Sequence, residues 1–177
     1  STPVNGRSHH IFKEKGIVFL PTSRLEEGLM PGLNITEHFA LQDKRPGLLI
    51  PWKNALETAG ARIRKFRVIG TPETTVENLS GGNQQRLLLS LLSKESTLLL
   101  LEHPTRGLDV ESAQWVWQHL HKYCLRKTGI IFSSADLDEI MAVADRIIVF
   151  FDGRIVMDVK KENADVNEIS RAMAGNS

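Results

Sequence analysis

Leu79-Ser80-Gly81-Gly82-Asn83-Gln84-Gln85-Arg86 decides how this 177-residue chain reads. Ser80 is a helix-capping residue type, because a serine hydroxyl accepts from an amide two or three residues on. Gly81 and Gly82 have no Cβ, so a ligand can approach their backbone N–H groups closely. A helix N-terminus of this kind favours phosphate, through unpaired N–H groups and the positive end of the dipole. For Ser-Gly-Gly taken alone, an ordinary cap without a ligand is the simpler reading. The eight residues together are sharper than that, and the segments on either side extend them.

Ser80 starts a helix with Leu87, Leu88, Leu91 and Leu92 facing inward. Thr97 to Leu101 is a wholly apolar run, the pattern of a central parallel strand. Val110 to Lys127 reads as a helix, with Ala113, Val116 or Trp117, Leu120 and Cys124 at helical spacing. Trp115 and Trp117 cannot share one face, so one is expected to be partly exposed and both to serve packing. Gly129 to Phe132 reads as a second buried strand. One helix between two strands predicts that they lie adjacent and parallel. Asp136-Leu137-Asp138-Glu139 fits a capping box with Asp136 at the cap. Ile147 to Phe151, the Asp152-Gly153 turn and Arg154 to Val159 read as a hairpin, followed by a short helix over 164–174.

Upstream, Gly16 to Leu20 is a short strand stopped by Pro21. Residues 22–33 form a loop broken by Gly28, Pro31 and Gly32. Asn34 caps a short helix through Thr36, Phe39 and Leu41. Pro51 suits the first turn of a helix running to about Ile69, with Leu56, Ala59, Ile63 and Phe66 on one face. The alternation of strands and helices argues for an α/β core. The mostly helical stretch 34–92 reads as a subdomain inserted into it.

Length fits one domain with a proper core. A hydrophobic content of 41% and a charged content of 24% are ordinary for a soluble globular protein. The net charge of +1 gives no general case for nucleic-acid binding. Cys124, the one cysteine, excludes an internal disulfide, suits a reducing compartment and is expected as a small buried residue on its helix. No run approaches about 18 apolar residues, the length that would read as a membrane span. His9-His10 is too short for a metal site.

The run from Leu79 to Arg86 resembles the signature motif of ABC-type ATPases, in the form typical of importers for sugars and nucleosides. Leu98-Leu99-Leu100-Leu101-Glu102-His103-Pro104-Thr105-Arg106-Gly107-Leu108-Asp109 resembles a Walker B strand running into a D-loop. Ser133-Ser134-Ala135-Asp136-Leu137-Asp138-Glu139-Ile140 resembles the switch region, with Ala144-Asp145-Arg146-Ile147 after it. Gly16 through Arg24 resembles the strand entering the Q-loop, and Glu27-Gly28-Leu29 continues the match. The resemblance runs from about residue 16 to about residue 157, in the family's order. It implies a partial P-loop NTPase core, of the ABC ATPase type, formed by 1–24 and 93–177. The helical signature subdomain would span 25–92.

The phosphate-cradling loop Gly-x-x-x-x-Gly-Lys-Ser/Thr is absent, and no Gly-Lys pair occurs in the chain. In the family that loop precedes the Q-loop strand, so the chain is expected to start after it, as a fragment or a truncated protein. Further positions depart from the family. Thr22 and Ser23 stand where it has Gln, or Glu followed by Asp. Glu102 stands where an Asp holds magnesium through water, one methylene longer. His103 stands where a Glu activates the attacking water, and Ala135 where the switch His meets the γ-phosphate. Some importers tolerate a small residue there in one of their two ATPase halves. Together these changes describe a degenerate site, and the chain alone is expected to bind ATP weakly without hydrolysing it.

The parts that act in trans are intact. In the family two ATPase domains pair head to tail, and each signature closes over the other's ATP. Ser80, Gly81 and Gly82 match that role, Asn83 and Gln84 flank it, and Asp109 matches the D-loop acid. Asp109 also reads as an N-cap for the helix from Val110. The resemblance therefore implies the ATP-binding component of a sugar or nucleoside importer, peripheral on the cytoplasmic face of the membrane. Its cofactors would be ATP and Mg2+, and its partners a second ATPase domain and a membrane permease. A regulatory or scaffold domain that no longer turns over nucleotide is the second reading. A chromosome-maintenance ATPase lobe is the third, and the lack of heptads in residues 1–50 speaks against it.

Overall fold

The computed structural model describes residues 6, 9–42, 49–92, 96–125 and 127–175. The chain divides into two compact units, Ser1–Ser133 and Ser134–Ser177. Within the first, three strands pair in parallel in the order β1 (Ile17–Leu20), β2 (Leu98–Glu102), β3 (Gly129–Ser133). The strands expected at 97–101 and 129–132 are thus adjacent and parallel. The all-leucine run takes the centre, where both ladders of hydrogen bonds are satisfied by protein.

Register fixes the faces. Leu20, Leu101 and Phe132 form one row and Val18, Leu99 and Ile130 another, on the face that is packed. Leu20, Leu99 and Leu101 there are 3% exposed or less. The opposite face carries the row Phe19, Leu100 and Ile131. Phe19 is 51% and Ile131 61% exposed. The expectation of a buried strand at 129–132 is therefore corrected. Among the described residues β3 is an edge, with one face uncovered.

The helices follow their signals, with informative shifts. A short α1 (His9–Glu14) precedes β1, and α2 (Ile35–Leu41) starts at a full capping box. There Asn34 accepts from the Glu37 amide at 2.9 Å, and Glu37 accepts from the Asn34 amide at 2.7 Å. The expected loop 22–33 contains a π-helical turn, Arg24–Gly28. Helix α3 (Trp52–Phe66) buries Ala55, Ala59 and Phe66, whereas Leu56 is exposed. The buried face runs through Ala55, Ala59 and Phe66, and Leu56, one residue on from Ala55, is carried off that face by the helical turn. The helix stops before Ile69 because Arg67 turns left-handed, at φ 54, and the Val68 N–H returns to the Ile63 carbonyl.

Helix α4 (Gly81–Leu91) buries Leu87, Leu88 and Leu89, and α5 (Val110–Cys124) buries Val116, Leu120 and Tyr123. Leu91 is only half-buried, and Leu92 is buried just past the helix end. Cys124 is the last residue of α5 and is exposed, not buried, since the helix ends there and not at Lys127. Trp115 and Trp117 are half-buried and pack on rings. Trp115 stacks on His119 with centroids 5.1 Å apart, and Trp117 meets Phe132 edge-on at 4.7 Å.

The second unit holds α6 (Leu137–Val143), an antiparallel hairpin and α7 (Val166–Met173). The hairpin strands are β4 (Arg146–Phe151) and β5 (Arg154–Lys160), with a bulge between Val149 and Phe150. Asp152 and Gly153 both have positive φ, 46° and 72°, as a two-residue primed turn requires. Ile147, Val149, Ile169 and Ala172 form the buried part. No helix among the described residues is long and apolar enough to cross a membrane.

Candidate functional site

The signature turn is the N-terminus of α4. Ser80 is extended, at φ −61 and ψ 156, and its Oγ accepts from the Asn83 amide at 3.4 Å and from Asn83 Nδ2 at 2.9 Å. Ser80 itself stays exposed. Gly81 and Gly82 follow in the first turn, where amides have no acceptor inside a helix. Asn83 and Gln84, expected to flank a ligand, carry structural bonds. Asn83 Oδ1 accepts from the Ile69 amide at 2.8 Å. Gln84 is buried, and its Nε2 donates to the Val76 and Leu79 carbonyls at 3.1 and 3.2 Å. They tie the turn to residues 69, 76 and 79.

The loop after β2 lies beside this turn. Asp109 caps α5, with Oδ1 accepting from the Ser112 amide and Oδ2 from the Ser112 hydroxyl, both at 2.9 Å. These bonds, the amide's first, hold its carboxyl below the usual carboxylate range, and the Arg86 charge adds to them. A Cβ built at Gly82 would lie 3.8 Å from the same Ser112 hydroxyl. Asp109 and Gly82 are therefore neighbours through Ser112.

Arg24 joins a third segment to these two. Its Nε donates to Gln85 Oε1 at 2.9 Å, and its Nη2 donates to the Arg106 carbonyl. A Cβ at Gly81 would lie 3.2 Å from its Nη1. Burial pulls its pKa down from the usual guanidinium value. Gln85, only 2% exposed, leaves its Nε2 without a partner. Arg24, Gln85, Arg106 and Ser112 were not singled out from the sequence. Arg24, Gln85 and Arg106 lie inside quoted motifs, but pairing across 61 and 82 residues has no local signal.

The residues at the strand ends stand apart from the turn in kind. Glu102 ends β2 opposite Ser133 and is exposed. His103 adopts φ 42, and its amide donates to the Ser133 carbonyl at 3.0 Å. Histidine is among the side chains that enter the left-handed region more often than most. Thr22 lies two residues beyond β1, half-buried. Since the strands are parallel, Thr22, Glu102 and His103 share the carboxyl edge of the sheet, where open α/β sheets hold ligands. Ala135 lies in the second unit, just before the Asp136 cap, whose Oδ1 accepts from the Glu139 amide at 3.1 Å.

No group of three His, Cys, Asp or Glu among the described residues could hold a metal. Glu102 brings one carboxylate to the sheet edge. That suffices for an outer contact to a magnesium held mainly by phosphates and water, and for nothing more.

No protein-family model matches the chain. Curated relatives do. The chain is 35% identical over 165 residues to the arabinose import ATP-binding protein AraG of Rhizobium meliloti, an alignment covering 89% of this chain and 32% of that protein. It is 31% identical over 177 residues to the glucose import ATP-binding protein TsgD13 of Haloferax volcanii, covering 95% of this chain and 32% of that protein. The chain thus spans about a third of the length of these relatives. Among solved structures, a dimeric post-hydrolysis state of the ATP-binding cassette MJ0796, bound to ADP and Pi, superposes with a TM-score of 0.70 at 21% identity. That match covers 89% of this chain and 69% of the other. An ATP-binding subunit of an ABC transporter gives 0.69 at 18% identity, over 90% of this chain and 69% of that one. The chain has the ABC ATPase fold, and the curated relatives that it resembles include import ATP-binding proteins for arabinose and for glucose.

Proposed function

We propose that this chain is part of the ATP-binding component of an importer for a sugar or nucleoside-like solute, and that it lends its signature turn to an ATP site on a partner ATPase domain. The observation that carries this is the exposed Ser80 hydroxyl, followed by Gly81 and Gly82 at the start of α4 and set beside the Asp109–Ser112 cap. Hydroxyl, amides and helix dipole all favour a phosphate there. ATP, when bound with Mg2+, supplies the negative phosphoryl group that such a turn meets. Residues 25–92 act as the signature subdomain in this reading, and 1–24 with 93–177 as the core lobe. A membrane permease is the second partner, which puts the assembly on the cytoplasmic face of the membrane.

A scaffold role without turnover is the second reading. His103 and Ala135 favour it, because neither side chain brings the carboxylate or the imidazole that the family uses at these positions. One experiment separates the two. Ser80→Arg places a bulky cation where the phosphate would sit, and loses the cap at a cost of about 1 kcal/mol, so the fold survives. In the complete transporter, uptake and partner-site ATP hydrolysis are expected to stop while the thermal melt barely moves. Wild-type uptake and hydrolysis would leave the turn as a cap in a scaffold.

A further inference from the structure

The half-buried guanidinium of Arg24 is the place where three segments distant in sequence meet. It lies in the π-helical turn Arg24–Gly28, reaches Gln85 on α4 and the Arg106 carbonyl in the 103–109 loop, and lies against Gly81. Its acceptors are neutral oxygens. The ion pairs Arg146–Asp158 and Lys160–Glu162 do not include it. A cation also stands beside the positive end of α4, an arrangement that the dipole disfavours. What holds it is geometry, since the rigid guanidinium plane carries donors on separate nitrogens, Nε toward Gln85 and Nη2 toward Arg106, whereas a lysine would have to reach both acceptors from one nitrogen. Gly81 belongs to the same arrangement, because a side chain there would press on Nη1. Gln85 presents its oxygen to Arg24 and leaves its amide nitrogen unpaired, so the bond to Arg24 accounts for its orientation.

We propose that Arg24 is a positioning residue that locks the glycine turn of α4 and the 103–109 loop to the 21–28 segment, so that the three move as one piece. The backbone bonds that it braces run from the Gln84 amide to the Ser80 carbonyl at the start of α4 and, in the 103–109 loop, from the Arg106 amide to the His103 carbonyl and from the Leu108 amide to the Thr105 carbonyl. Bonds at a helix start and in a loop open more readily than those of core strands. The lock is a property of this chain. Its consequence for ATP closure rests on the reading under Proposed function.

The test is amide hydrogen exchange on the 177-residue chain with Arg24→Gln, Arg24→Lys and Gln85→Leu. Bonds to a charged donor are among the stronger ones, so exchange at Gln84, Arg106 and Leu108 is expected to rise about tenfold or more in Arg24→Gln, while β2 and β3 amides stay as they were. Arg24→Lys is expected not to restore protection at both segments. Gln85→Leu is expected to loosen the α4 turn alone, because the Arg106 bond survives it. No rise, a rise at only one segment in Arg24→Gln, an even rise across the unit, or full rescue by lysine would each overturn the lock. Partner-site hydrolysis in the complete transporter is the second readout. Arg24→Gln is expected to lower kcat with KM unchanged, since closure and not nucleotide contact is impaired. If Ser80→Arg and Arg24→Gln both hydrolyse normally while the exchange change is present, the proposed function fails and the lock stands. If Ser80→Arg alone stops hydrolysis, the lock has no part in closure and that half of the proposal fails.

Discussion

His119 shows how a single side chain reports its packing. It is half-buried between Phe66 at 4.5 Å and Trp115 at 5.1 Å, and Arg86 lies 4.7 Å over the Trp115 ring. Such a cation–π contact contributes about 0.5–1 kcal/mol at a partly exposed site. Burial, and then the charges of Lys122, Lys65 and Arg62, lower the His119 pKa from 6.5 to about 4. Between those values the unfolded chain binds a proton that the folded chain refuses. Stability from this group is therefore complete above pH 6.5 and is lost as the pH falls through 4. His119→Phe keeps a ring in the stack and removes the titration. The fall in Tm between pH 6.5 and 4 is expected to be smaller in that variant than in the wild type. Equal slopes in the two melts would mean that His119 takes up its proton freely.

At the scale of elements, ends matter more than middles. Asn34, Ser80, Asp109, Asp136 and Asp165 each cap the helix that follows, and all five caps sit on polar residues whose side chains accept from the first turn. The end of α7 is set differently. Gly175 has φ 76, and a Cβ there would stand 2.3 Å from Phe151 Cζ. Gly175→Ala meets both the left-handed backbone and the ring, so it is expected to destabilise the second unit by at least about 1 kcal/mol. Hydrogen exchange at Ile169 and Ala172 should rise while the first unit stays as it was. Unchanged exchange at both would show that Phe151 swings aside without cost.

For the whole molecule, the uncovered face of the parallel sheet is the dominant feature. Parallel sheets occur almost only with both faces covered. Here Phe19 and Ile131 stand exposed in one row across the face. Isolated at tens of micromolar, the chain is expected to self-associate, with a light-scattering mass that rises above 19.8 kDa with concentration. Ile131→Lys should return it toward the monomer. A wild-type chain that scatters as a clean monomer at those concentrations would leave the exposed row without that consequence.

The sequence by itself determined most of the elements and their order, though neither α1 nor the π-helical turn at Arg24–Gly28. The leucine run at 98–101, the Ser80 and Asp109 caps and the Asp152-Gly153 turn are local signals, and local sterics and hydrogen bonding decide them. The signature resemblance was legible for the same reason, since a glycine turn at a helix start is a short-range device. Tertiary structure alone decided what faces what. It chose the face of α3 that carries Ala55 and Ala59 as the buried one, which leaves Leu56 outside, and it ended α5 so that Cys124 is exposed. It left β3 as an edge, and it brought Arg24 to Gln85 and Arg106 across 61 and 82 residues. Contacts at that separation depend on chain closure around a common core, and no window of neighbouring residues encodes them.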